Sequence, residues 1–243
     1  MRFLTHSLLG LSLLVTPLAG QLSAQEKPQA REAKLEDGFH SLFNGKDLTG
    51  WKGNTELWSA EDGMIVGRTT VEKPLEFNTF LIYDESPVAN FELRLDYKIH
   101  KGNSGIQYRS QVLDEEKFIV GGYQADIDSG PTYVGINYEE RARGILAERG
   151  QRVAIAEDGT KDVEDFGDRA ELGKKVDLEG WNKYVVIANG NKLSHYINGE
   201  LMSEVIDNQT DKASASGVLA FQVHQGPAMV VQFKNIRIKT LGE

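Results

Sequence analysis

Three short segments pair an apolar side with a side of amides and ionisable groups. In "NSGIQYRS" an extended chain puts Ile106 and Tyr108 on one side and Gln107 and Arg109 on the other, because side chains of a strand alternate with period two. "GYQADID" sets Tyr123, Ala125 and Ile127 against Gln124, Asp126 and Asp128, and "GVLAFQVHQG" sets Leu219, Phe221 and Val223 against Gln222 and His224. Asp is a poor strand residue, and a merely solvated side more naturally carries Thr, Lys or Val, so this row of polar residues asks for a reason. Together the seven are planar donors and acceptors with one fixed cation and one imidazole. That inventory suits a hydroxyl-rich ligand, since carboxylates and amides bridge adjacent hydroxyls and Arg adds a donor fork. The alternative reading is of unrelated solvent-facing residues on separate sheets.

For these sides to combine, their strands must share a sheet with one face on the core and one free. The rest of the chain supplies such a sheet. Short apolar-alternating runs separated by Gly, Asn, Asp and Pro recur from Gly38 onward, which argues an all-β sandwich. The clearest is Phe91 to His100, with Phe91, Leu93, Leu95, Tyr97 and Ile99 on one side. "ANGNKLSHYINGE" carries two turn signals, Asn189-Gly190-Asn191 and Asn198-Gly199, and predicts a meander. "YEERARGILAERGQ", residues 138–151, has helix-friendly composition broken by Gly144 and reads as a long loop or short helix inserted between strands, a candidate wall of a site. The acidic stretch from Glu157 reads as a solvated loop without the alternating-oxygen spacing of a calcium loop. His195, between Leu193 and Ile197, reads as a structural histidine, and Trp51, Trp58 and Trp181 read as core filling or end covering.

Charge and leader narrow the class. The opening "MRFLTHSLLGLSLLVTPLAGQLSAQ" has one cation, an apolar run and small residues before Gln25, which predicts a signal peptide over 1–24, a flexible leader over 25–37 and a domain over 38–243. Cleavage removes Arg2 and no acid, so the mature chain is more acidic than the formal −9 of the whole. An acidic chain without a basic run is a poor partner for nucleic acid or anionic lipid, and the apolar start is too short and too interrupted to span a membrane. The expected location is periplasmic or secreted, with no membrane insertion after cleavage. Cys is absent from the 243 residues, so the fold stands without disulfides and neither a Cys nucleophile nor a thiolate metal site exists. Asp126, Asp128 and His224 lack a diagnostic ligand spacing, and neither a metal nor a cofactor is expected. The sequence is silent on oligomeric state.

"SLFNGKDLTGW", "GNSGIQYR", "GYQADID", "WNKYVVIANGNKLSHYINGE" and "FQVHQGPAMVVQFKNIRI" together resemble the 3-keto-disaccharide hydrolase domain family, over about Gly38 to Thr240. The resemblance implies a concanavalin A-like jelly-roll sandwich of two antiparallel sheets and extracytoplasmic cleavage of sugars oxidised at carbon 3, small carbohydrates supplied by an upstream oxidoreductase. A ketone at carbon 3 acidifies the hydrogen on carbon 2. A base removes it, the enolate expels the substituent at carbon 1, and water adds back. Such a route needs a base, an electrophile for the enolate oxygen and a donor to the leaving group. His224 or Asp126 is the candidate base, Arg109 the enolate stabiliser or substrate clamp, and Glu148 the acid. Tyr138, Glu140 and Arg143 are candidate substrate contacts from the inserted segment, with Glu140 and Arg143 also readable as a local ion pair. Gln107, Gln124, Asp128 and Gln222 complete the set as substrate-binding residues.

Two rivals share the scaffold. A laminarinase-type glycoside hydrolase would carry the strand signature E-x-D-x-x-E, which the chain lacks. A carbohydrate-binding module would use the same face without chemistry.

Overall fold

The computed structural model describes residues 35–242; the predicted signal peptide and all but the end of the leader lie outside them. In chain order the elements are β1 (His40–Ser41), β2 (Trp51–Lys52), β3 (Trp58–Glu61), β4 (Met64–Arg68), β5 (Thr79–Val88), β6 (Phe91–His100), β7 (Asn103–Asp114), β8 (Ile119–Asp128) and β9 (Asn137–Glu140). There follow β10 (Gly144–Ala147), β11 (Gln151–Ile155), β12 (Lys161–Asp165), α1 (Arg169–Gly173), β13 (Asn182–Asn189), β14 (Lys192–Ile197), β15 (Glu200–Asp207), β16 (Gly217–Val223) and β17 (Val230–Thr240). They form an all-β jelly-roll sandwich of two sheets. The first runs β12-β11-β15-β14-β13-β6-β17-β4-β3 with β1 beside β17, and the second β10-β9-β8-β7-β16-β5-β2.

Alternation builds the core directly. Every odd residue of β6 from Phe91 to Ile99 is buried, and each faces the inner side of the second sheet, where Ile106, Tyr108, Tyr123, Ile127 and Phe221 belong to the same apolar cluster. Phe221 stacks on Phe233 across the sandwich at 4.1 Å, tying β16 to β17. Trp51 and Trp58 lie in this core, whereas Trp181 offers its ring to the Lys234 ammonium. The meander β13-β14-β15 forms as the turn residues predict, with Gly190, Asn198 and Gly199 at positive φ.

Three segments differ from expectation. Residues 138–151 form β9, β10 and the start of β11, not a loop or helix. Their register against β8 and the bulge at Ile145/Ala147 carry the chain from the second sheet to the first, where β11 pairs in parallel with β15. Gly144, which weakened a helix, sits at φ +74 as the first residue of β10, paired with Glu139 after the tight return at 141–143. The acidic stretch folds as the exposed strand β12 and the short helix α1, whose first turn is capped by the Asp168 side chain. Glu36, at the end of the predicted leader, is held by Arg237 at 2.6 Å and Arg94 at 3.1 Å.

Candidate active site

Strand order places β9, β8, β7 and β16 side by side. Register then aligns their polar residues. Gln107 lies opposite Gln124 and Ala220, Gln124 opposite Tyr138, Asp126 opposite Gly105, and Gly122 opposite Glu140. The outer face of the second sheet therefore gathers Gln107, Gln124, Asp126, Tyr138, Glu140 and Gln222. It was expected to be open, but Gln107 and Gln222 are 0% exposed, Gln124 2% and Asp126 5%.

The sheet curls over this face. Asn78, just before β5, donates to Glu140 Oε1 at 3.2 Å although three strands separate β5 from β9 in sheet order. A flat sheet would hold those strands roughly 19 Å apart, beyond any side-chain reach. Beside the polar half of the face lies an apolar half, Phe80, Ile82, Val120 and Ala220, in which β5 and β8 meet.

The buried amides satisfy one another in a single direction. Ser110 Oγ donates to Gln107 Oε1 at 2.6 Å, Gln107 Nε2 to Gln124 Oε1 at 2.7 Å, and Gln124 Nε2 to Asp126 Oδ1 at 2.5 Å. Gln222 Nε2 adds a second donor to Gln124 Oε1 at 3.0 Å, leaving its own Oε1 buried without a partner. Asn103 reaches Asp126 Oδ2 at 3.5 Å.

Burial is the main influence on the Asp126 carboxyl. It pushes the group up to about 8 against the bonds from Gln124 and Asn103, and the charges of Asp128 and Glu140 push the same way. Half-buried Tyr138 is shifted upward by burial and by Glu140 and Asp126, so its hydroxyl keeps its proton and remains a donor. The face thus holds a carboxyl that exchanges protons near neutral pH and a neighbouring phenol that can donate.

Other candidates lie elsewhere. Arg109 is a correction: a bulge between Tyr108 and Gln111 and a φ of +46 break the alternation, so its guanidinium is off the polar face. It is 2% exposed and clamps two turns through Ala89 O, Gly190 O and Asn90 Oδ1 at 2.7, 2.7 and 2.9 Å. Glu148 stands in the crossover between β10 and β11 and pairs with Arg169 at 2.9 Å, away from the polar face.

Arg143 pairs with Glu139 and with Asp207 at 2.6 Å, not with Glu140. The reason is parity: on β9, Glu139 and Asn137 share one side, Tyr138 and Glu140 the other. Asp128, at the end of β8, accepts from Gly130 N at 2.9 Å and Tyr133 N at 3.1 Å and serves the following loop. His224 is partly exposed just past β16, its Nδ1–H turned to the Gln225 carbonyl.

Sequence reasoning missed Asn78, Asn103, Ser104 and Gly105. The last three are consecutive in the segment "GNSGIQYR": Asn103 and Gly105 lie on the polar face, and Ser104, on the inner side, fastens the backbone of the strand that carries Gln222. Asn103 touches Asp126, Ser104 Oγ ties to Gln222 O at 2.7 Å, and Gly105 leaves room for Gln124. A Cβ on Gly105 would fall 2.4 Å from Gln124 Cδ. The signal was a short polar-Gly run at the start of a strand, where a missing side chain marks close approach.

Comparisons with known proteins agree with this architecture. The model of the 3-keto-alpha-glucoside-1,2-lyase-like domain matches residues 38–239. A 3-keto-disaccharide hydrolase of Bacteroides thetaiotaomicron is 36% identical over 83 residues, which is 31% of this chain and 28% of that protein. A crystal structure of a provisionally named glycosyl hydrolase from Parabacteroides distasonis superposes with a TM-score of 0.51 at 27% identity, covering 84% of this chain and 94% of that one. A second from the same organism superposes at 0.53 with 19% identity, over 84% of this chain and 99% of that one, and shares the fold. With the family model spanning nearly all of the described sandwich, polar face included, the chain belongs to the 3-keto-alpha-glucoside-1,2-lyase-like domain family.

Proposed function

We propose that the chain cleaves the glycosidic bond of sugars oxidised at carbon 3, with Asp126 as the group that moves the proton. The family and the name of the Bacteroides relative support the substrate class. The observation that carries the chemistry is the Asp126 carboxyl, buried at the end of an amide chain and pushed up to about 8. A carboxyl with that affinity is half ionised near pH 8 and, once ionised, is a strong enough base to take a hydrogen acidified by a neighbouring ketone.

In the proposed route the Asp126 carboxylate takes the hydrogen on carbon 2, the electron pair delocalises onto the ketone oxygen, and the enolate expels the substituent at carbon 1. Tyr138 donates a hydrogen bond to the developing charge, the role that Arg109 cannot fill from the core. The proton held by Asp126 passes to the expelled oxygen, which leaves as an alcohol, and water then adds across the new double bond, its hydroxyl to carbon 1 and its hydrogen to carbon 2, completing net hydrolysis. Glu140, held by Asn78, lies on the same face to contact sugar hydroxyls.

Incubation with 3-keto-trehalose or a chromogenic 3-keto-glucoside tests the reading. Product release that Asp126→Asn slows by about a hundredfold supports it. Binding of the keto-sugar without turnover would replace it with a carbohydrate-binding role, and full activity of Asp126→Asn with loss in His224→Ala would move the base to the rim. Export to the periplasm or beyond belongs to the same proposal, on the character of the first 24 residues.

A further inference from the structure

Asp126 has two oxygens, and their surroundings differ. Oδ1 takes a 2.5 Å bond from Gln124 Nε2, whereas Oδ2 has only the 3.5 Å approach of Asn103. The orientation of Gln124 follows from its neighbours. Two amide nitrogens, from Gln107 and Gln222, converge on its carbonyl oxygen, which leaves its NH₂ group facing Asp126. Reversing the chain would require a proton on Oδ1 and would exchange the buried unpartnered oxygen of Gln222 for a buried unpartnered NH₂ group. Carbonyl oxygens go under-satisfied more readily than N–H donors are orphaned, so the observed direction is the favoured one.

From this geometry we infer that Gln124 is a positioning residue, and not a sugar contact. It reserves Asp126 Oδ1 as an acceptor and makes Oδ2 the oxygen that gains and loses the proton. The inference rests on the reading of Asp126 as the proton-transfer group. At 2% exposure Gln124 has no surface to offer a ligand, while its amide is tied at both ends. Gln107 and Ser110 extend the same line into the sheet, which polarises each amide toward the carboxylate.

The groups that act on Asp126 with charge or ionisable hydroxyls are Asp128 on its own strand, Glu140 and Tyr138 on β9, and Tyr184 from β13, whose hydroxyl lies 3.5 Å from the Asp126 carbonyl. The two carboxylates raise its proton affinity, and the amides of Gln124 and Asn103 lower it. Loss of the Gln124 donor therefore moves the titration upward.

The experiment reads Asp126 without substrate. Carboxyl titration by ¹³C NMR or difference infrared spectroscopy is compared for the intact chain, Gln124→Leu and Gln124→Glu, with Asp126→Asn identifying the signal. Both Gln124 variants are expected to titrate about one unit higher, with Gln107→Leu shifted less and in the same direction. Gln124→Glu keeps an acceptor for the Gln107 and Gln222 nitrogens and so guards against a variant that fails to fold.

Neutron diffraction of the deuterated protein below the titration point should place the deuteron on Oδ2. An unshifted titration in both Gln124 variants, or a deuteron on Oδ1 with the amides reversed, overturns the inference and leaves the role of Asp126 standing. Full turnover in Asp126→Asn has the opposite consequence: it removes the catalytic reading, while the titration still reports on the amide chain.

Discussion

Two of the buried titratable side chains, His195 and Asp126, are treated alike by burial and divided by their partners. His195 lies between the sheets, with Nδ1 on the Ile136 carbonyl at 3.3 Å and Nε2 met by Tyr108 Oη at 2.9 Å and Asn137 Nδ2 at 3.4 Å. Burial lowers it from 6.5 to about 3, so it stays neutral at any working pH. Asp126 lies on the outer face of the second sheet, and burial raises it from 3.8 to about 8. Desolvation drives both toward the neutral form, but only for the carboxyl does that bring the titration into the physiological range. Both ring nitrogens of His195 are engaged, whereas Asp126 keeps one oxygen weakly held. Burial sets the direction of a shift, and the unclaimed atom marks the group that can react.

That contrast can be broken at either end. Asp126→Asn should lower turnover on a keto-sugar by about a hundredfold with the fold intact by circular dichroism. His195→Ala should do the reverse, costing roughly 2–4 kcal/mol in denaturant unfolding while the kcat of the remaining folded protein is unchanged, because it empties a packed and hydrogen-bonded site. Gly105→Ala drives a methyl into Gln124 and should reduce kcat on the order of tenfold through misplacement of the carboxyl, at a cost of roughly 1–3 kcal/mol in stability because the displaced amide gives up its buried partners Gln107, Gln222 and Asp126. His224→Ala, at the rim, should change the rate least, by no more than a few-fold in the same assay.

Stability against pH sharpens the same comparison. Between about pH 4 and 8 folded Asp126 holds a proton that the unfolded chain has lost, so its contribution to stability falls as pH rises and is gone above about 8. Between about pH 3 and 6.5 the unfolded chain holds a proton that folded His195 refuses, so that contribution rises with pH and is complete above 6.5. Urea midpoints across pH 3 to 9 should lose the fall in Asp126→Asn and lose the rise in His195→Gln. Unchanged slopes in either variant would deny that side chain its assigned burial.

Much of the fold was legible because alternation is a local property. The side of β6 that meets the core, the turns of the meander and the coincidence of Gln107, Gln124, Asp126 and Gln222 on apolar-backed strands all follow from neighbours in the chain. The segment 138–151 was misread because charged residues with high helix propensity sit in strands whose inner side is committed to distant partners: Asn137 to His195, and Glu139, through Arg143 of the same segment, to Asp207. Tertiary pairing outweighed local preference there. Glu148 and Arg143 went with that misreading.

What the sequence determined by itself was therefore the sandwich class and the composition of each strand side, since both are written in spacing of a few residues. Strand order, which brings residues 78, 103, 126 and 222 together, is a matter of long-range pairing that no local pattern encodes. The bulge that turns Arg109 inward is decided there too, because one extra residue in a strand moves a side chain to the opposite face. The proton affinity of Asp126 belongs wholly to the tertiary structure: it comes from removing water around a carboxyl, and only the curled sheet removes it.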